Sequence, residues 1–279
     1  MFKRMLLNLK IIFKNNKLAS VSLVILILII IASFFAFLSP YDPNRLNVEE
    51  QLVAPNLKHI FGTDDLGRDY FTRILYGGRV SLVVGFFSMI ISISIGTIIG
   101  MISGFIGGFV DNLIMRILDI LMCIPTFFLI LIANAYLGPS IKNIVIIIGL
   151  FGWMGVARIV RSETLSFKER EFVHASKALG ASKFFIIRKH ILPNILPSVI
   201  VAASISVASA ILSESALSFL GLGVQQPMAS WGSMLQRAQP YVLDKPFLAF
   251  FPGIFILCTV LSFNILGDIL RTALEPKIT

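Results

Sequence analysis

The sequence predicts an all-α polytopic membrane protein with six transmembrane helices and both termini in the cytoplasm, and three observations predict it. Hydrophobic residues make up 56% of the 279 positions and charged residues only 14%, a balance foreign to soluble globular domains. Apolar runs long enough to cross a hydrocarbon core of roughly 30 Å recur along the chain, separated by turn formers. Basic residues gather in one alternating set of loops, which is expected to face the cytoplasm. On a soluble chain the net charge of +9 would point to nucleic acid. Here it sets orientation in a bilayer, and no nucleic-acid partner is expected.

Residues 1–17 carry Lys3, Arg4, Lys10, Lys14 and Lys17 and no acid, which marks a cytoplasmic tail. The first span, Leu18 to Leu38, is too long for a secretory signal core, and no Ala-x-Ala-like site follows it. It is read as an uncleaved helix. From Ser39 to Arg79 the chain turns polar, with Pro40, Pro43, Asn44 and Pro55 as turn formers. Its acids (Asp42, Glu49, Glu50, Asp64, Asp65, Asp69) balance its bases (Arg45, Lys58, Arg68, Arg73, Arg79). A loop without basic excess belongs outside. Within it, FGTDDLGRD from Phe61 to Asp69 reads as a glycine-bounded turn with local ion pairs, and its carboxylate spacing matches no EF-hand loop.

Val80 to Ile102 is the second span. Gly96, Gly100 and Gly104 recur at four-residue steps, a small-residue stripe that lets two helix backbones approach closely. Gly107 and Gly108 turn the chain into a third span, Leu113 to Leu137. Asp111, Arg116 and Asp119 stand at its start as structural residues. Arg116 and Asp119 occupy neighbouring helix positions and are expected to pair near the cytoplasmic interface. Pro125 should kink or break this helix. Gly138 and Pro139 form an external turn into the fourth span, Ile141 to Ile159.

The run from Arg161 to Pro193 is a long polar, basic stretch between apolar spans. Between Arg158 and Leu192 it holds eight Lys or Arg and three acids, so it belongs in the cytoplasm. Its chemistry suggests two short helices meeting at a glycine. Ser166 and Glu169 fit a capping box that starts a helix near Phe167, and Gly180 can end it in the left-handed conformation. Ser182 can cap a second helix through Phe184, Phe185, Ile186 and Ile187, which Pro193 should terminate.

The fifth span, Ile195 to Leu220, is small and hydroxylated throughout, which fits tight packing and also fits a solvent-lined path. Ser206, Ser209, Ser213 and Glu214 are the candidates for a pathway or gate. Glu214 lies roughly 30 Å along the helix from Pro193, near the outer interface. Substrate contact and a salt bridge to Arg79 or Arg237 are both open to it. Trp231 and Tyr241 are expected at an aromatic belt. The sixth span, Phe247 to Leu270, ends at Arg271, and a short tail with Lys277 returns to the cytoplasm. Cys123 and Cys258 lie inside apolar spans and read as packing residues.

Several of these runs resemble one family. Ala175 and Ser176, three residues, Gly180, nine residues, and then His190, Ile191, Leu192 and Pro193 closely resemble the cytoplasmic "EAA" loop of ABC importer permeases. The family pattern is Glu-Ala-Ala, three residues, Gly, nine residues and Ile-x-Leu-Pro. His174 stands where the family usually has Glu, Ser176 where it often has Ala, and His190 where it often has Ile; Gly180, Leu192 and Pro193 keep the corner. FGTDDLGRD resembles the first external loop of the peptide and nickel branch. GGFVDNLIMRILDILMCIP resembles an element near the cytoplasmic gate. SALSFLGLGVQQPMASWGSML, from Ser215 to Leu235, is the most specific resemblance and again resembles the peptide and nickel permeases.

The resemblance implies a type I ABC importer permease fold with a cytoplasmic coupling helix. Residues 79–271 would form the permease domain with its coupling loop at 161–193. Residues 1–78 would add the tail, first helix and external loop, and 272–279 a short cytoplasmic tail. The ATPase-coupling residues it implies are Glu171, His174, Ala175, Ser176, Leu179, Gly180 and Ala181, with Pro125 and Pro193 structural. Implied partners are a second homologous permease, two ABC ATPase subunits, an extracytoplasmic substrate-binding protein and the lipid of a bacterial cytoplasmic membrane. The cargo would be dipeptides, oligopeptides, nickel or other metal complexes.

The chain itself is expected to be non-catalytic and to hold no cofactor, ATP and Mg being used by the partner subunits. It has no G-x-x-x-x-G-K-[ST], H-E-x-x-H or G-x-S-x-G run, so neither nucleotide binding nor hydrolase chemistry is visible. His59, His174 and His190 fall on opposite sides of the membrane and would not form one metal site. The alternative class is a self-contained secondary carrier or channel, which would need mid-bilayer ionisable groups and internal repeats. Glu214 is the one such acid, and it sits near the edge.

Overall fold

The computed structural model describes residues 16–274. The basic residues Lys3, Arg4, Lys10 and Lys14 and the tail with Lys277 lie outside the described residues. Asn16 caps α1 (Lys17–Phe34) by accepting from the Ala19 N–H at 3.2 Å. After a 3₁₀ turn at Ala36–Leu38, a polar segment leads to Asp69. Asp69 caps α2 (Tyr70–Ile106) by accepting from the Thr72 N–H at 2.8 Å and the Thr72 hydroxyl at 2.6 Å. The cap moves the helix start ten residues ahead of the expected Val80. At 37 residues α2 is about 56 Å long, well beyond the hydrocarbon thickness.

Gly107 and Gly108, both at positive φ, separate α2 from α3 (Gly108–Met122). Pro125 divides α3 from α4 (Thr126–Leu137) with a bend of 78°, so the third span is an elbow. Cys123, expected to pack, is exposed at this elbow, and Cys258 is half-buried. After Gly138, α5 runs over Ile141–Lys168, nine residues past the expected end at Ile159. The proposed start near Phe167 is therefore absent. Ser166 lies inside α5, because nothing from Val156 onward interrupts the helix, and the capping box with Glu169 does not form. The next helix, α6 (Glu171–Ala178), begins behind Arg170 with no side-chain cap.

Ser182 caps α7 (Lys183–Ile186) as expected, accepting from the Phe185 N–H at 3.2 Å. Pro193 does not stop the chain. A π-helical turn, Ile187–Ile191, shifts the register so that the Leu192 N–H bonds the Ile187 carbonyl. Pro193 then falls in the first turn of α8 (Leu192–Phe219), where its missing N–H costs little. A loop leads to α9 (Trp231–Ala238), a 3₁₀ turn and α10 (Phe247–Leu274). Among the described residues, with α7 and α8 counted together, five helices are long and apolar enough to cross a membrane, and the α3–α4 elbow makes a sixth if taken as one span.

The central seam joins α2 to α5 through the glycine stripe. A Cβ on Gly96, Gly100 or Gly104 would lie 2.8, 2.6 or 2.8 Å from the carbonyl oxygens of Trp153, Ala157 and Arg161. Backbone meets backbone there, as the sequence pattern predicts. At one end of the bundle a core gathers around Trp231, with Ile74, Ile211 and Met234. At the other, Phe105, Val156, Val160, Val173 and Ile191 form a second core.

The polar segment between α1 and α2 folds onto the Trp231 end. The local ion pairs expected in FGTDDLGRD are present: Asp64 takes Arg68 at 2.7 Å and Arg73 at 3.4 Å. His59, which sequence reasoning left without a role, is buried between Asp69 at 2.8 Å and Glu50 at 3.3 Å. The Lys58 ammonium bonded to Glu50 holds that carboxyl below the usual carboxylate range. Trp231 is no belt residue. It is fully buried, and its indole N–H donates to the Ile74 carbonyl at 3.0 Å. Tyr241 is half-buried at the edge of the same core.

Candidate functional site

The residues implied for ATPase coupling come together around α6. The helix ends in two reverse hydrogen bonds, from the Gly180 N–H to the Lys177 carbonyl at 3.0 Å and from the Ala181 N–H to the Ser176 carbonyl at 3.1 Å. That pairing defines a Schellman stop, with Gly180 at φ +80° where a Cβ would be strained. The corner is sharp and its backbone groups are satisfied.

What α6 exposes matters more. Of its side chains only Val173 is buried, inserted into the core with Ile186, Ile191 and Ile195. Glu171, His174, Ala175, Leu179 and Gly180 are exposed, and Ser176 and Ala181 are half-buried. His174 faces Glu169 at 3.4 Å, both in the open. Beside them Phe172, Leu179, Phe184 and Phe185 stand out with 42%, 88%, 71% and 49% exposure. The helix is thus held by one buried side chain beneath an exposed apolar rim.

The hydroxyl-rich helix α8 has two different faces. Ser206, Ser209 and Ser213 follow helical i, i+3, i+7 spacing on one side, Ser209 exposed and the other two half-buried. Glu214, one residue past Ser213 and so turned about 100° from it, is fully buried. Neither expected arginine reaches it: Arg237 forks onto Asp65 and Arg79 lies over the Phe34 ring. Instead the hydroxyls of Ser81 and Ser218 donate to its two oxygens at 3.0 and 2.6 Å. Ser81 in turn accepts from the Trp231 N–H at 3.3 Å, and Ser218 from the Val224 N–H at 3.1 Å and the Ser230 hydroxyl at 3.3 Å. Every donor in this network runs toward the carboxylate. Glu214 therefore pins α2, α8 and the start of α9 together, a structural task distinct from the serine face. Ser218 also lines a cavity of about 120 Å³, beside Arg237 and Asp65.

Near the α6 end, the charges of α3 find long-range partners. Asp111 receives the Nε–H and Nη2–H of Arg161 at 2.5 and 2.6 Å, and the Ser103 hydroxyl joins the same carboxylate. Asp119 pairs with Arg158, not with Arg116, which is exposed. The expected Arg116–Asp119 pair fails because the side of α3 that carries Asp111 and Asp119 rests on α5. Arg158 and Arg161, three apart in α5, were the signal available in the sequence. They read there only as part of the basic loop.

The family described as binding-protein-dependent transport system inner membrane component matches residues 96–279, and the N-terminal transmembrane domain of oligopeptide transport permease C matches residues 11–56. The dipeptide transport system permease protein DppC of Bacillus subtilis (strain 168) is 44% identical over 267 residues, 95% of this chain and 83% of the relative. The oligopeptide transport system permease protein OppC of the same organism is 42% identical over 267 residues, 95% and 88% of the two chains. The glutathione transport system permease protein GsiD of Escherichia coli O157:H7 is 41% identical over 268 residues, again 95% and 88%. A chain of the MetNI methionine ABC transporter, in inward facing conformations, superposes with a TM-score of 0.60 at 19% identity, over 73% of this chain and 97% of that one. At that identity the likeness is one of fold. With the seam, the elbow and the exposed corner helix in place and matches of this extent, the chain belongs to the binding-protein-dependent transport system inner membrane components, the multi-pass permease subunits of bacterial ABC importers.

Proposed function

We propose that this permease forms half of the pathway of an ATP-driven peptide importer and takes its power stroke through α6. The observation that carries the reading is the corner: α6, with Val173 its one buried side chain, exposes Phe172, and Leu179 and Phe184 stand exposed beside it, directly beyond the end of α5. A cleft on an ATPase subunit is the natural cover for such a rim. Peptide is the cargo class because the relatives at 41–44% identity are named for dipeptide, oligopeptide and glutathione transport. In this reading α6 and both termini face the cytoplasm, which the basic excess of the 158–192 stretch supports. Residues 79–271 act as the permease unit, and residues 1–78 add the tail, the first helix and the external loop.

The serine face of α8, with Ser206, Ser209 and Ser213, then borders a passage shared with a second permease. Two ATPase subunits bind and hydrolyse ATP with Mg, and an extracytoplasmic binding protein delivers cargo to the Trp231 end. The chain supplies no chemistry of its own. Its work is mechanical: the ATPase states differ in their contacts with α6, and that difference shifts the permease between conformations.

The direct test is co-purification of the ATPase subunits with the permease after residues 171–180 are replaced by a glycine-serine linker of equal length. Loss of the ATPase subunits with the two permeases still paired is the expected result. Retention of the ATPase subunits would show that another surface docks them.

A further inference from the structure

Helix α3 has fifteen residues, and of its side chains only Asp111 and Leu118 are buried. Leu118 packs with Met154 and Ala157 of α5. Met115 and Leu121 of α3 pack against the same cluster, and two charged fastenings join them: Arg161 forks onto Asp111, and Arg158 pairs with Asp119. On α5 the positions 154, 157, 158 and 161 follow i, i+3, i+4, i+7 spacing. On α3 the positions 111, 118 and 119 follow i, i+7, i+8 spacing. Each set is thus a single stripe, and the two stripes face one another.

Arg161 belongs to two joints at once. Its carbonyl receives Gly104 of α2, and its guanidinium holds Asp111 of α3. From Val156 to Lys168 α5 contains neither glycine nor proline, so this length moves as a rod, and α6 begins three residues after it ends. Beyond the elbow, α4 is attached elsewhere, with Ile130 packed among Ile144, Ile147 and Ile148 in the opposite half of α5.

We propose that the Arg161–Asp111 fork, seconded by Arg158–Asp119, is the joint through which displacement of α6 reaches the α3–α4 elbow. The four side chains are thereby positioning residues for transport. This rests on the docking role of α6 proposed above. Apolar contacts around Leu118 are non-directional and let α3 slide along α5, whereas a planar guanidinium on two carboxylate oxygens fixes both spacing and angle. Without the fork, α5 still swings with the ATPase while the inner arm of the elbow lags. The signature is hydrolysis without import.

The experiment uses the whole transporter, with both permeases, the ATPase subunits and the external binding protein, reconstituted in phospholipid vesicles with a radiolabelled dipeptide as probe. In Asp111→Asn, the ATPase subunits stay bound and ATP hydrolysis persists, while uptake falls about tenfold. The exchanged pair Asp111→Arg with Arg161→Asp recovers uptake to within about threefold of the native complex. Hydrolysis and uptake that fall together, uptake that does not fall, or an exchanged pair no better than the single variant would each overturn the proposal. A second measurement needs no charge variant: spin labels at the exposed positions Ile120 on α3 and Ser162 on α5 report their separation in the complex. It should stay constant between nucleotide-free and ATP-bound states. A separation that changes with nucleotide while the ATPase subunits remain bound overturns the joint alone; absence of the ATPase subunits from the complex with the native chain fells the docking reading and this inference with it.

Discussion

At the Trp231 end, a set of buried polar side chains closes on itself through Glu214; at the α6 end, apolar side chains are exposed and Val173 is the one buried side chain of the helix. Glu214, Ser81, Ser218 and Ser230 close a hydrogen-bond network with no open donor, and His59 sits between two carboxylates. Phe172, Leu179 and Phe184, by contrast, stand in the open. Buried polar networks are costly unless complete, and complete ones fix a single arrangement. Exposed apolar rims await a partner. The Trp231 end thus holds a closed polar network, and the α6 end presents an apolar rim on a helix with a single buried side chain.

The largest effect expected from this contrast is at Trp231. Trp231→Ala removes a fully buried ring and its bond to Ile74, at a cost of about 3–5 kcal/mol. The measurement is the thermal unfolding midpoint of the purified permease in detergent. A midpoint within a degree of the native value would mean that the Trp231 core does not hold this end together.

Glu214 comes next. Glu214→Gln places an amide N–H₂ where a hydroxyl now donates, so one donor of Ser81 or Ser218 loses its acceptor at a cost of about 1–3 kcal/mol. If Glu214 instead touched cargo, the same variant would leave the midpoint alone and alter uptake among dipeptides of different charge. The two readouts separate a pin from a pathway residue.

Val173→Ala tests the weaker anchor. Two methyl groups lost from a buried site are worth about 1.6 kcal/mol, and the loss should be local. Hydrogen exchange should quicken across 171–180 while the core around Trp231 keeps its protection. Equal quickening at both ends would show that the molecule does not divide as described.

The difference between the ends also governs what the sequence made legible. The glycine stripe at 96, 100 and 104 and the stop at Gly180 were readable because each has one local meaning: a close backbone approach, or a left-handed turn. The elbow at Pro125 was readable for the same reason. Trp231 was not, since its place depends on a crossing with a residue 157 positions away, and a tryptophan after a Gly- and Pro-rich loop looks like a belt residue. Distance along the helix set the depth of Glu214 and left its side undecided. For Asp119, the nearby Arg116 was the local choice, but the facing stripe of α5 supplied Arg158 instead. The seven residues assigned to ATPase coupling were reached by pattern, and their spacing alone could not say that Val173 would be the one turned inward.

Leu179 gives the smallest effect on stability and the sharpest on the contrast. Its side chain is 88% exposed, so Leu179→Ala should shift permease stability by less than about 0.5 kcal/mol. If α6 docks in a cleft of an ATPase subunit, the same truncation removes a buried contact from that interface, and anchors of this kind cost more than about 1 kcal/mol when cut back. Affinity for the ATPase subunit, titrated with the permease in lipid nanodiscs, should then weaken about fivefold or more while the unfolding midpoint stays fixed. A residue with no work to do inside its own chain would thereby show a measurable one across an interface. An unchanged affinity would mean that the exposed rim is lipid-facing, because the same apolar side chains suit a bilayer surface as well as a protein cleft.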